Sequence, residues 1–141
     1  MRVKDVMTEN PQVVLPQTSL KEVADTMKSL DIGVLPVCEN DRLVGMITDR
    51  DIVVRAEAEG LSPAANVDQA MTPDVTFCFE DDDLDSAVKL MEEKRIRRLP
   101  VLNAQHRLVG IVSLGDLAVS GDQRTAGEVL ERVSEPAKPN R

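Results

Sequence analysis

Two short stretches of the sequence place a hydroxyl residue three positions before an aspartate, directly after an apolar run. Thr48 and Asp51 form the first pair, and Ser113 and Asp116 form the second. A hydroxyl at the start of a helix, beside unpaired backbone N–H groups, suits an anion such as phosphate. A carboxylate one turn further on can accept two hydrogen bonds from a cis-diol. Each pair therefore offers groups of suitable polarity to both the phosphate and the sugar of a nucleotide.

The same spacing also has a purely structural interpretation. In a capping box, the hydroxyl and the carboxylate each bind a backbone N–H of the first helical turn. Asp51 can also pair with Arg55 four residues later. Asp49, whose place is taken by Leu114 in the second stretch, is interpreted as a favourable first-turn residue. The residues by themselves leave capping and ligand binding both open.

The two pairs belong to an internal duplication. "VKDVMT" at residues 3–8 returns as "VDQAMT" at residues 67–72, and both "LPV" and "RLVG" occur twice in the same order. The offset between the copies is 64 residues through "LPV" and 65 residues from "RLVG" onward. The extra residue falls in a predicted hairpin turn, where an insertion is well tolerated.

Each copy has the pattern of a β-α-β-β-α unit. A β-prone segment ("QVVL", then "VTFCF") precedes a helix with an apolar stripe, a hairpin and a second helix that ends near Gly60 or Gly121. Ser19, and either Asp82 or Asp83, are expected to cap the first helices. The pattern predicts an α/β (α+β) fold of two tandem repeats, packed through their sheets with pseudo-twofold symmetry and with clefts between them. The predicted bounds are residues 1–62 and 63–121, followed by a short helix and flexible tail at residues 122–141.

Composition narrows the classes of partner and compartment. The 141 residues are 42% hydrophobic, which is enough for a core, and the net charge is −8. This acidity disfavours binding to nucleic acid or to an anionic membrane surface. The sequence contains no apolar run long enough to span a bilayer and no secretory signal at its start, so we expect a cytoplasmic protein.

The sequence offers few groups for catalysis. It has no Trp, no Tyr and one histidine, His106, which lies in a polar stretch and is interpreted as a solvated turn residue. No nucleophile elbow, phosphate-binding loop, dinucleotide motif or zinc spacing is present, so we expect neither an enzyme nor a metal site. Cys38 and Cys78 lie in apolar surroundings and are interpreted as buried free thiols, with a disulfide left open.

The ordered motifs resemble a known family. "GVLPV…RLVGMITDRDI" and "IRRLPV…RLVGIVSLGDL" are similar to the cystathionine-β-synthase (CBS) domain. A tandem pair of such domains is called a CBS pair or Bateman module. The resemblance extends from Val3 to Ser120, so the chain looks like a stand-alone CBS-pair protein.

The resemblance implies a ligand, AMP, ADP, ATP or S-adenosylmethionine, bound in clefts between the repeats with no required cofactor. It implies that the two aspartates hold ribose and the two hydroxyl residues contact phosphate, and that backbone at the start of each first strand recognises adenine. Basic residues before "LP" can bind phosphate, but "KRIRR" at residues 94–98 fits a solvated helix end equally well. The implied residues are Thr48, Asp51, Ser113 and Asp116; Gln12, Val13, Val75 and Thr76 for adenine; and Arg97 and Arg98 for phosphate.

The resemblance also implies a regulatory role. We expect a sensor that binds an adenosine nucleotide and signals its occupancy to an unknown protein target, assembled as a homodimer. The first copy has Gly33 and Val34 where the second has Arg97 and Arg98. This difference supports the alternative, a ligand-free dimerisation or protein-interaction module with degenerate clefts.

Overall fold

The computed structural model describes residues 1–120 of the chain, and helices and sheets alternate through them. This confirms the predicted mixed α+β class. The predicted short helix and tail at residues 122–141, and the predicted helix end at Gly121, lie outside the described residues. In chain order the elements are β1 (Thr8–Glu9), α1 (Leu20–Leu30), β2 (Val34–Glu39), β3 (Arg42–Thr48), α2 (Asp49–Asp51, continued by a π-helix over Ile52–Glu57), β4 (Cys78–Phe79), α3 (Leu84–Lys94), β5 (Arg98–Leu102), β6 (Leu108–Ser113) and α4 (Leu114–Ser120).

The chain divides into two compact units. One is Pro11–Val75, and the other combines Met1–Asn10 with the described residues from Thr76 onward. Each unit has its own cluster of buried apolar side chains. The repeat boundaries at residues 62 and 121 refer to the sequence duplication, and they stay a prediction.

Both units are built around an antiparallel hairpin. In the unit containing Met1–Asn10, β5 pairs with β6, β1 flanks β6 and β4 runs parallel to β5. In Pro11–Val75, β2 pairs with β3, Thr72 bridges Met46 on β3, and Val14 forms a parallel bridge with Val37 on β2. The two hairpins confirm the predicted pairing of the apolar runs in each copy.

The first strand of each copy is shorter than its β-prone sequence suggests. "QVVL" contributes only the bridge at Val14, and only Cys78–Phe79 of "VTFCF" is a strand. In the first copy a turn follows at once, with the Thr18 N–H donating to the Leu15 carbonyl at 3.0 Å across Pro16. Because proline has no N–H and fixes its φ, the strand cannot continue through this position.

The turn of the second hairpin is longer than that of the first, in the direction that the predicted insertion requires. Asn40 and Asp41 alone join β2 to β3, and their φ angles of 53° and 65° are those of a two-residue type I′ turn. A longer turn joins β5 to β6, where Asn103 Oδ1 accepts a hydrogen bond from the Arg107 N–H at 3.0 Å. His106 is exposed in this turn, which confirms its interpretation.

The two long helices bury the predicted stripes. α1 buries Leu20, Val23 and Met27, and its start is capped by Ser19 Oγ, which accepts from the Glu22 N–H at 3.1 Å. The expected side-chain cap of α3 is wrong. Asp83 makes no capping hydrogen bond, and Asp82 Oδ2 instead accepts from the N–H of Phe79 at 2.9 Å.

The packing of the two "MT" segments explains why the last residue of each "RLVG" is glycine. A Cβ on Gly110 would lie 2.6 Å from Met7 Sδ and 2.9 Å from the Thr8 carbonyl oxygen. In the other unit, a Cβ on Gly45 would collide with Met71 and lie 3.0 Å from the Thr72 carbonyl oxygen. Each "MT" segment therefore packs directly on the glycine of a hairpin, and only glycine leaves room for it.

Candidate functional site

Thr48 and Asp51 form a reciprocal capping box at the junction of β3 and α2. Thr48 Oγ1 accepts from the Asp51 N–H at 3.0 Å, and Asp51 Oδ2 accepts from the Thr48 N–H at 3.0 Å. Thr48 has extended backbone geometry, as an N-cap residue requires. The second pair repeats this arrangement: Ser113 Oγ accepts from the Asp116 N–H at 3.2 Å, and Asp116 Oδ2 accepts from the Ser113 N–H at 2.8 Å.

The structure thus confirms the capping interpretation, yet it leaves acceptor capacity at both aspartates. Each cap engages the Oδ2 atom, whereas Oδ1 carries further lone pairs and a hydroxyl can still donate its own proton. Asp51 and Asp116 are both partly exposed. A cap and a contact to a diol are therefore compatible in the same side chain.

Arg55 distinguishes the first pair from the second. Its Nε lies 3.7 Å from Asp51 Oδ1, and its Nη1 donates to the Met71 carbonyl at 3.4 Å. Arg55 Nε is too far from Asp51 Oδ1 for a hydrogen bond, but the positive charge of the guanidinium still lies close to the carboxylate. The residue four positions after Asp116 is Ser120, so the second pair has no such arginine.

The strand register places the adenine-recognition candidates of the first copy near its motif. The Val14 N–H donates to the Pro36 carbonyl at 3.0 Å, so the two preceding residues, Gln12 and Val13, lie beside the start of β2. Thr48, the last residue of β3, is the cross-strand partner of Val34, the first residue of β2. Gln12 and Val13 are exposed. These residues and the Thr48/Asp51 pair therefore lie at the same end of the Pro11–Val75 sheet.

The second copy brings an arginine directly beside the hydroxyl. Arg98 is the cross-strand partner of Ser113, and the Leu114 N–H donates to the Arg97 carbonyl at 3.1 Å. Both arginine residues are exposed, and neither lies inside helix α3. Thr76 precedes β4 in the same unit, whereas Val75 is the last residue of the other unit.

The carboxylate of Asp49 lies in a position that the sequence interpretation did not predict. Its Oδ1 accepts from the Arg50 N–H at 2.8 Å, as expected of a first-turn residue. In addition, its Oδ2 would lie only 2.9 Å from a Cβ on Gly33. The signal available in the sequence was the glycine itself, which stands where the second copy has Arg97.

The described residues contain no cluster of three or more His, Cys, Asp or Glu side chains able to hold a metal ion. Cys38 and Cys78 are buried free thiols, as predicted. Burial, with a smaller effect of Asp41, raises the pKa of Cys38 to about 11, and burial with Asp82 raises the pKa of Cys78 to about 12. Both thiols therefore stay protonated at neutral pH and are poor nucleophiles and poor metal ligands.

None of the helices in residues 1–120 is both long enough and apolar enough to cross a membrane.

Known proteins that are similar to this chain contain CBS domains. The chain is 40% identical over 133 residues to the CBS domain-containing protein YhcV of Bacillus subtilis (strain 168), covering 94% of each. Its fold matches the structure of CBSX2 in complex with AMP at a TM-score of 0.75, with 30% identity, 84% of this chain and 94% of that chain. It also matches the CBS domain pair of protein MJ0100 in complex with 5-methylthioadenosine and S-adenosyl-L-methionine at a TM-score of 0.75, with 28% identity, 91% of this chain and 98% of that chain.

The family model of the CBS domain matches the chain twice, at residues 3–57 and 66–120. These two matches include both capping boxes, both hairpins and both "MT" segments. The chain therefore belongs to the CBS domain family and contains two CBS domains in tandem.

Proposed function

We propose that this chain is a regulatory module that binds adenosine nucleotides at its two Thr/Ser-x-x-Asp motifs. The observation that carries the proposal is the pairing of Arg98 with Ser113, beside a helix start whose aspartate keeps a partly exposed carboxylate. A guanidinium and a hydroxyl suit phosphate, and the carboxylate suits a ribose diol. The AMP complex of a similar CBS-pair protein supports the same ligand class.

The residues of each motif take complementary parts in this proposal. Asp51 and Asp116 accept hydrogen bonds from ribose through the oxygen that the cap leaves available. Thr48 and Ser113 face phosphate, with Arg97 and Arg98 adding charge in the second copy. Backbone at Gln12, Val13, Val75 and Thr76 recognises adenine, which apolar side chains then flank because the chain has no Trp or Tyr.

Signalling to a partner follows from differential binding. A ligand shifts a conformational equilibrium only as far as its affinities for the two states differ. We propose that nucleotide occupancy changes the state of a cytoplasmic homodimer that a protein target recognises, without any chemical reaction on the nucleotide. Val53 and Val54, which are 62% and 47% exposed, offer apolar surface for the dimer contact.

A thermal-denaturation screen of the full chain tests the proposal. AMP, ADP, ATP and S-adenosylmethionine are added separately, with guanosine monophosphate as the control for nonspecific phosphate binding. A ligand at 100 times its dissociation constant stabilises the folded state by about 2.7 kcal/mol. The proposal predicts such a shift for at least one adenosine compound. If none of them raises the melting temperature at millimolar concentration, the ligand-free interaction module becomes the better account.

A further inference from the structure

The residue opposite the motif hydroxyl differs between the two copies. Ser113 pairs with Arg98 across the hairpin, whereas Thr48 pairs with Val34. Directly opposed residues of an antiparallel pair project to the same face, with their Cβ atoms about 5 Å apart. The second hydroxyl therefore has a guanidinium as its cross-strand neighbour, and the first has an aliphatic side chain.

A second difference reverses the charge beside the motif. The Asp49 N–H donates to the Gly33 carbonyl at 2.9 Å, and the Leu114 N–H donates to the Arg97 carbonyl at 3.1 Å, so these positions are structurally equivalent. Asp49 Oδ2 lies 2.9 Å from the point where a Gly33 side chain would begin. A carboxylate in the first copy thus occupies space that corresponds to the Arg97 side chain in the second.

The neighbouring arginine residues do not cancel the negative charge of Asp49 next to Thr48. Arg55 is already held between Asp51 and the Met71 carbonyl, and the side chain of Arg50 is exposed. In the second copy the residue equivalent to Asp49 is Leu114, which is buried in the core. No acid of that copy therefore stands at the position equivalent to Asp49.

We propose that the two motifs select different adenosine compounds. The Ser113/Asp116 motif takes one that carries a phosphate, and the Thr48/Asp51 motif takes one whose 5′ group is uncharged or cationic. This inference rests on the binding of adenosine compounds proposed above, and at the first motif it replaces the phosphate proposed to face Thr48 with an uncharged or cationic 5′ group. A phosphate monoester carries between one and two negative charges at neutral pH, so Asp49 repels it while Arg97 and Arg98 attract it.

Calorimetric titration of the full chain with adenosine and with AMP tests this selection. Asp116→Asn isolates the first motif and Asp51→Asn isolates the second, since asparagine keeps an oxygen for the cap but loses the charge and acceptor capacity for a diol. The expected result is that the first motif prefers adenosine and the second prefers AMP, each by about tenfold or more.

Asp49→Asn, made in the Asp116→Asn background, tests the cause of the selection. Removing the negative charge of Asp49 raises AMP affinity about three- to tenfold and leaves adenosine affinity unchanged. Val34→Arg, also made in the Asp116→Asn background, places a guanidinium opposite Thr48 and raises AMP affinity as well. Glu39→Gln is the matched control, because it removes an equal charge at the far end of β2, about 16 Å away and beyond the screening length.

The outcomes separate this inference from the function on which it rests. If both motifs bind adenosine and AMP with the same ratio, and Asp49→Asn leaves that ratio unchanged, the selection is wrong while nucleotide binding stands. An equal gain in AMP affinity for Glu39→Gln would also overturn the role of Asp49. If neither compound binds to either motif, both proposals are wrong.

Discussion

At the scale of single residues, the two aspartates combine a structural and a proposed binding role. Each accepts a backbone N–H within a capping box, and each keeps an oxygen that the cap does not use. Sequence duplication alone cannot distinguish these roles, because a duplicated fold also duplicates its caps. Substitutions that retain the cap but remove the charge can distinguish them.

Asp51→Ala and Asp51→Asn are expected to differ in stability. Alanine removes the acceptor for the Thr48 N–H and should lower the free energy of unfolding by about 0.5–2 kcal/mol. Asparagine keeps an oxygen at that position and should cost less than half as much. Urea denaturation of the two variants measures the difference, and equal losses would contradict the importance of this hydrogen bond.

The buried thiols predict a loss of stability at alkaline pH. The folded state raises the pKa of Cys78 from 9.0 to about 12, mainly through burial, so folding favours the protonated thiol. The corresponding stabilisation is complete below pH 9 and is lost as the pH rises from 9 through the folded pKa. Cys78→Ala should flatten this alkaline decline in urea denaturation between pH 8 and pH 11, whereas an unchanged slope would contradict it.

At the scale of elements, the sequence predicted what depends on local pattern. The helix stripes at Leu20, Val23 and Met27, the hairpins, and the inserted residue in the second turn were all evident from periodicity and repeat offset. The cap of α3 was not, because Asp82 bonds backwards to Phe79 rather than forwards to the helix. The close approach of Asp49 to Gly33 was also hidden, since it depends on how the two ends of the β2–β3 hairpin meet.

The glycines under the "MT" segments lead to a further prediction. Gly110→Ala should lower the free energy of unfolding by about 1–3 kcal/mol, because its Cβ would meet the Thr8 carbonyl at 2.9 Å as well as the flexible Met7 side chain. Gly115→Ala is the matched control, since the nearest atom to its Cβ is Ser113 Oγ at 3.4 Å. Chemical denaturation compares the two variants, and equal stabilities would contradict the proposed crowding.

At the scale of the whole molecule, the compact units do not follow the order of the duplication. Met1–Asn10, which begins the first copy, packs with the described residues from Thr76 onward. Val3 is fully buried in that unit, and its equivalent Val67 is fully buried in Pro11–Val75. Periodicity could reveal the repeats but not this exchange, which depends on long-range backbone pairing such as that of Thr8 with Ile111.

Val3→Ala and Val67→Ala test this division of the chain. Each should cost about 1–3 kcal/mol, because each leaves a cavity in a packed core. Hydrogen exchange should show lost protection at residues 76–117 for Val3→Ala and at residues 11–75 for Val67→Ala. Lost protection at residues 11–75 in the Val3→Ala protein would contradict the assignment of the N-terminal segment.

The most direct measurement of the central claim is a calorimetric titration of AMP into the unmodified chain and into Asp116→Asn, with the melting temperature of each recorded. The account predicts that AMP binding at the second motif weakens at least tenfold while the melting temperature stays within a few degrees, because the cap survives and the contact to ribose does not. Unchanged AMP affinity in the folded variant would contradict a binding role for Asp116 and return the motif to capping alone.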